Sequence, residues 1–166
     1  AFDIYSPDNP GKFEQRVLDY LNSKQLACFW AHPEAYDHAE YRFLGARFSI
    51  DTRPHPAILL TTRGYTGFAG LNEGENRLVE AGSVWDEALR QYIAGDRSHP
   101  AWCFGEMLYH YEGQAGKKLS NVENIVRAPE KTARALMDSV RAGRFYARIN
   151  RNDQSLALDR WNVNGE

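Results

Sequence analysis

Three short stretches of this chain combine imidazole or carboxylate with a turn signal: His32-Pro33-Glu34, Asn72-Glu73, and the segment from Glu106 to His110. Each follows an apolar run of the kind a buried strand makes, namely Leu26 to Ala31, Tyr65 to Leu71 and Ala101 to Phe104. Proline has no N–H to give to a central ladder, so the first run must stop with His32 at its carboxyl end. In a parallel α/β arrangement the carboxyl ends of the strands share one edge, where such folds place their ligands and chemistry. Imidazole together with carboxylate suits zinc, manganese or iron, and a bound ion of this kind makes water nucleophilic at neutral pH. The candidate metal ligands are therefore His32 and His110, with Glu106 third; no separate catalytic acid, base or nucleophile stands out. Plainer roles compete with this one. A His before Pro can simply hydrogen-bond its turn, and Glu34, Glu73, Glu75 and Glu112 read first as solvated loop charges. His38, His55 and His99 sit in polar or proline-rich loops and read as surface or turn residues.

The elements that must position these groups alternate between helix and strand. Phe13, Val17, Leu18 and Leu21 share one face of a helix running from Lys12 to about Ser23. The section from Ala35 to Pro56 is an excursion with one strand, and Ala57 to Thr61 is a short apolar run. Tyr65 to Leu71 predicts a strand with close backbone approach at Gly67 and Gly70. Val84, Trp85, Ala88, Leu89, Tyr92 and Ile93 form a helical stripe that Gly95 closes. A second such helix carries Ala133, Leu136, Met137 and Val140, with Pro129 before it and Gly143 after it. Phe145 to Ile149 reads as a strand, and Asn121 to Val126 as a short element of undecided type. Helix and strand in this order favour crossover connections and a parallel sheet.

Composition sets outer limits. At 166 residues and 43% hydrophobic the chain has enough apolar material for one self-supporting domain. Twenty basic against 22 acidic residues, net −2, argue against a dedicated nucleic-acid binder. Only Arg144 to Arg151, with Phe145 and Tyr146 among arginines, resembles a stacking surface. Gly113 to Lys118 lacks the Walker spacing and the Ser or Thr after the lysine, so it is not a phosphate loop. No stretch approaches the ~20 apolar residues that span a membrane. Cys28 and Cys103 lie in separate apolar runs and read as buried, unpaired thiols. Nothing in the chain assigns a compartment.

Read in order, several of these stretches resemble the carboxyl-terminal part of a PHP domain, the polymerase and histidinol phosphatase family of metal-dependent phosphohydrolases. The resemblance rests on Ala31-His32-Pro33-Glu34, on Gly67-Phe68-Ala69-Gly70-Leu71-Asn72, and on Trp85-Asp86 with Leu89. It continues through Gly95-Asp96, the strand entering Gly105, and Arg141-Ala142-Gly143-Arg144-Phe145-Tyr146-Ala147. It implies a single α/β domain over 1–166 that forms the later part of a distorted (β/α)7 TIM-like barrel of mostly parallel strands, with 150–166 beginning a further β segment. It also implies a metal-dependent hydrolase of small phosphate esters, using divalent zinc, manganese or iron held by His32, His110 and Glu106. Two departures stand out. The family's opening Asp-x-His-x-His motif does not occur in this chain, and Leu108 stands where the last motif, Asp-x-His, has its acid. A chain lacking the first strands would leave sheet edges open and would self-associate or bind a partner segment. The alternative expectation is a noncatalytic binding module on a degenerate scaffold.

Overall fold

The structure is a computed structural model that describes residues 12–72, 76–109, 111, 113–114, 118–150, 154 and 156–159. Helix α1 covers Lys12–Ser23, and β1 (Phe29–Trp30) follows. An antiparallel pair comes next, β2 (Asp37–Phe43) and β3 (Ala46–Thr52), then the short helix α2 (Ile58–Thr61) and strand β4 (Gly67–Leu71). Helix α3 (Val84–Ile93) leads to β5 (Trp102–Gly105), and the chain continues through β6 (Val122–Val126), α4 (Ala133–Arg141) and β7 (Phe145–Ile149). Helices α3 and α4 stop where the sequence places them, at Gly95 and Gly143, each in the left-handed conformation that a side chain disfavours.

The central sheet has three strands in the order β1-β4-β5, all parallel. Crossovers through α2 and α3 make that possible, since parallel neighbours need a long connection. The α/β expectation therefore holds, but the barrel does not. The remaining four strands form two antiparallel pairs, β2 with β3 and β6 with β7, so the architecture is not a (β/α)7 barrel and its strands are not mostly parallel. The physical reason lies in pairing rather than in the elements. A helix does join β6 to β7, yet the two strands run in opposite directions, with Val122 opposite Ile149 and Val126 opposite Phe145. The 35–56 excursion likewise pairs with itself and closes through Leu44 and Gly45, both at positive φ, which matches the tight turn of a twisted hairpin.

The core packs α1, α2 and α3 on the sheet through Leu18, Leu59, Tyr65, Phe68, Leu78 and Ala88. Phe68 meets Trp85 edge to face at 6.2 Å, and Phe29 meets Phe104 at 4.7 Å. The close approaches expected at Gly67 and Gly70 are present: a Cβ on Gly67 would strike the Trp102 carbonyl oxygen, and one on Gly70 would lie 2.8 Å from Cys103 Sγ. Arg97 is buried against Tyr65, whose hydroxyl accepts from it at 3.1 Å, while Tyr65 itself donates to the Leu59 carbonyl at 2.6 Å. Among the described residues no helix is long and apolar enough to cross a membrane. Of the 150–166 segment, only 150, 154 and 156–159 are described. There the Leu158 N–H donates to the Tyr146 hydroxyl at 3.1 Å and Arg148 reaches the Leu156 carbonyl.

Candidate functional site

Because β1, β4 and β5 are parallel neighbours, their carboxyl ends open on one edge, and His32, Asn72 and Glu106 follow them there. Across 74 residues of sequence, His32 and Glu106 meet. One carboxylate oxygen of Glu106 lies 2.9 Å from His32 Nδ1, and the other accepts the His32 backbone N–H at 2.9 Å. An ionised carboxylate only accepts hydrogen bonds, so in this pairing Nδ1 carries a proton, and in the neutral imidazole Nε2 then holds the lone pair. Nε2 makes no hydrogen bond to the described residues. His32 has φ +26, a backbone state that costs a non-glycine residue energy and is held only where the surroundings enforce it. The Glu106 bond to the His32 N–H is one such restraint; the Ala35 N–H donating back to the His32 carbonyl at 2.9 Å is another.

Glu106 is itself held from both sides. Its N–H donates to the Leu71 carbonyl at 2.9 Å, extending the β4–β5 ladder by one residue. On the outer edge of β5 the Asn124 carboxamide stands in for a neighbouring strand. The Gly105 N–H donates to Asn124 Oδ1 at 2.7 Å, and Asn124 Nδ2 donates to the Gly105 carbonyl at 2.9 Å. Gly105 must be a glycine for this contact, since a Cβ there would lie 2.5 Å from Val122 Cγ1. The β6–β7 pair thus buttresses the peptide that carries Glu106.

Glu34 departs from its expected role as a solvated charge: it is buried, with Arg77 Nε 3.9 Å away. The turn explains this. Pro33 is fully buried and its carbonyl accepts the His55 N–H at 3.0 Å, which draws the residue after it inward. Asn124 also escaped the sequence reading, although an Asn inside Val-Glu-Asn-Ile-Val is an outlier by strand preference and was the available signal. His110, Glu73, Glu75 and Glu112 lie outside the described residues. Leu108 is half exposed. His55 and His99 bond backbone carbonyls, of Arg53 at 2.9 Å and Pro100 at 3.2 Å, as turn residues do. His38 lies on the β2–β3 pair beside Asp51, whose carboxyl is held below the usual range chiefly by that hydrogen bond.

Among the described residues no three His, Cys, Asp or Glu side chains gather closely enough to hold a metal ion. The two thiols are unpaired, as expected, and burial pushes both upward, Cys103 to about 11. Neither has the electropositive, open setting of a reactive thiolate. Comparison of the chain with family models, with curated proteins and with solved structures finds no significant match.

Proposed function

We propose that this chain carries the site of a metal-dependent hydrolase acting on small phosphate esters, centred on His32 and Glu106. The observation that carries the reading is the two-point contact between them at the carboxyl edge of the parallel sheet. A carboxylate bonded to one ring nitrogen, with the other nitrogen open, is how proteins orient a histidine for a metal. The donor chemistry fits zinc, manganese or iron. His32 would hold such an ion through Nε2, with His110 as the second ligand by resemblance to the PHP family. Glu106, expected as a ligand, would in this reading orient the His32 ring through Nδ1. A bound ion of this type supplies charge to the phosphate oxygens and acidity to a water.

The second reading, a noncatalytic binding module, draws on two observations. Leu108 stands where resemblance to the PHP family would put an acid, and both Glu106 oxygens are already engaged by His32. Hydrolysis of a panel of aryl and sugar phosphates with added Mn2+ or Zn2+ separates the two. The hydrolase reading expects turnover that His32→Ala abolishes and that Glu106→Gln lowers about 10- to 100-fold, the usual cost of losing a partner to a metal-bound histidine. Phosphate-ester binding without turnover supports the binding module. Turnover indifferent to His32→Ala removes this site from the reaction.

A further inference from the structure

The β2–β3 hairpin has two unlike faces. Ala39, Tyr41 and Phe43 on β2 alternate with His38, Glu40 and Arg42, and the register sets Tyr41 opposite Phe48 and Phe43 opposite Ala46. From residue 39 to the tip one face is therefore aromatic or apolar, with Asp37 at its base position. On the other, His38 pairs with Asp51 and with Glu40, and Arg47 pairs with Glu40, so its charges are largely satisfied within the hairpin. The aromatic face stands in solvent: Tyr41, Phe43 and Phe48 are 55%, 67% and 53% exposed, and Leu44 at the tip is 90% exposed. A two-stranded hairpin is marginal in water by itself and gains its stability from a covered face.

The tip adds an independent sign. Leu44 and Gly45 both have positive φ, the geometry of a turn that favours Asn, Asp or Gly. A leucine there is a poor turn residue with its side chain in water, which makes sense where that side chain is buried by something else. From these observations we infer that the hairpin's aromatic face is a homodimer contact, covered by the same face of a second copy. Three features choose that occupant. Between residue 39 and the tip the face has no charged residue, so that part of it can meet its like without repulsion. A two-fold axis needs only one self-complementary patch. The exposed parts of Tyr41, Phe43, Leu44 and Phe48 come to roughly 500 Å² per copy, given the 150–250 Å² that an aromatic side chain presents. Two copies thus reach the roughly 1,000 Å² a specific interface requires. This inference is independent of the chemistry proposed for His32 and Glu106.

Sedimentation velocity on the full chain, from low to high micromolar, tests it. The expected result is a concentration-dependent monomer–dimer equilibrium that Phe48→Lys shifts to monomer. Leu44→Asn serves as the second variant because it suits the turn and leaves the hairpin at least as well folded. It should weaken the dimer about 100-fold or more, from the lost burial of one leucine at the tip in each of the two copies. A wild-type chain that stays monomeric throughout overturns the inference, as does a dimer that both variants leave unchanged.

Discussion

Replacing Glu106 by Ala and by Gln separates what its carboxylate does for His32 from what its bulk does for the fold. Glu106→Ala removes two bonds, to the His32 N–H and to Nδ1, each 2.9 Å long. Hydrogen bonds to a charged group contribute about 1.5–3 kcal/mol each when buried. The side chains here are 21% and 36% exposed, so water competes for both bonds and the estimate must be discounted. Release of the His32 backbone from φ +26 returns some of the loss. The net expectation is about 2 kcal/mol for Glu106→Ala. Glu106→Gln keeps an oxygen for the His32 N–H and offers an N–H to a deprotonated Nδ1, so it should cost less than about 1 kcal/mol. Urea denaturation at a common slope resolves that difference, and in melting temperature it amounts to about 2–4 °C per kcal/mol for a chain of this size. Nitrogen NMR of the His32 ring should show the Nδ1–H form in the wild type and a shifted tautomer balance in Glu106→Gln. If both variants fall within about 0.5 kcal/mol of wild type, as inert surface changes do, the pair does not hold His32 and the reasoning fails.

Four further outcomes follow from the same structure. Asn124→Ala, which strips the carboxamide from the β5 edge, should cost about 1–2 kcal/mol and broaden the Gly105 and Glu106 amide signals; unchanged hydrogen exchange there would show the clamp is idle. Phe68→Ala, at a fully buried centre of the core, should destabilise by about 3–5 kcal/mol in the same denaturation assay. Glu123 has its carboxyl held below its ordinary value of 4.5, first by the Asn150 hydrogen bond and then by Arg148, so its contribution is present above that value and lost as pH falls through the lower folded one. The melting-temperature gap between wild type and Glu123→Gln should therefore be seen at neutral pH and close in acid; a gap that widens in acid would reverse the sign. Native Cys103 should resist a thiol reagent at pH 8 and react only on unfolding, since burial raises it to about 11.

Much of the local structure was legible because its causes are local. Apolar spacing located α1, α3 and α4, glycine marked the ends of α3 and α4, and Pro33 stopped the strand that leaves His32 at its end. The direction in which distant strands pair was not legible. β6, α4 and β7 have the order of a crossover unit, yet β7 returns antiparallel to β6, a direction that no window of sequence contains. The barrel expectation failed for this reason. The 35–56 excursion failed differently: its β2 half alternates apolar and polar residues, but exposed aromatics at Tyr41, Phe43 and Phe48 do not read as the buried face of a strand. At the site, the convergence of His32 and Glu106 could be argued from strand ends alone. The burial of Glu34 and the Asn124 clamp could not, because both depend on how a turn and a second sheet fold back onto that edge.

The proposed role of His32, oriented by Glu106, is to bind a divalent cation. Isothermal titration of Mn2+ and of Zn2+ into the wild-type chain and into His32→Ala tests it without assuming any substrate. Saturable binding is expected in the wild type, weakened about 10- to 100-fold by Glu106→Gln and lost in His32→Ala. Equal binding in wild type and His32→Ala, or no binding in either, would contradict it.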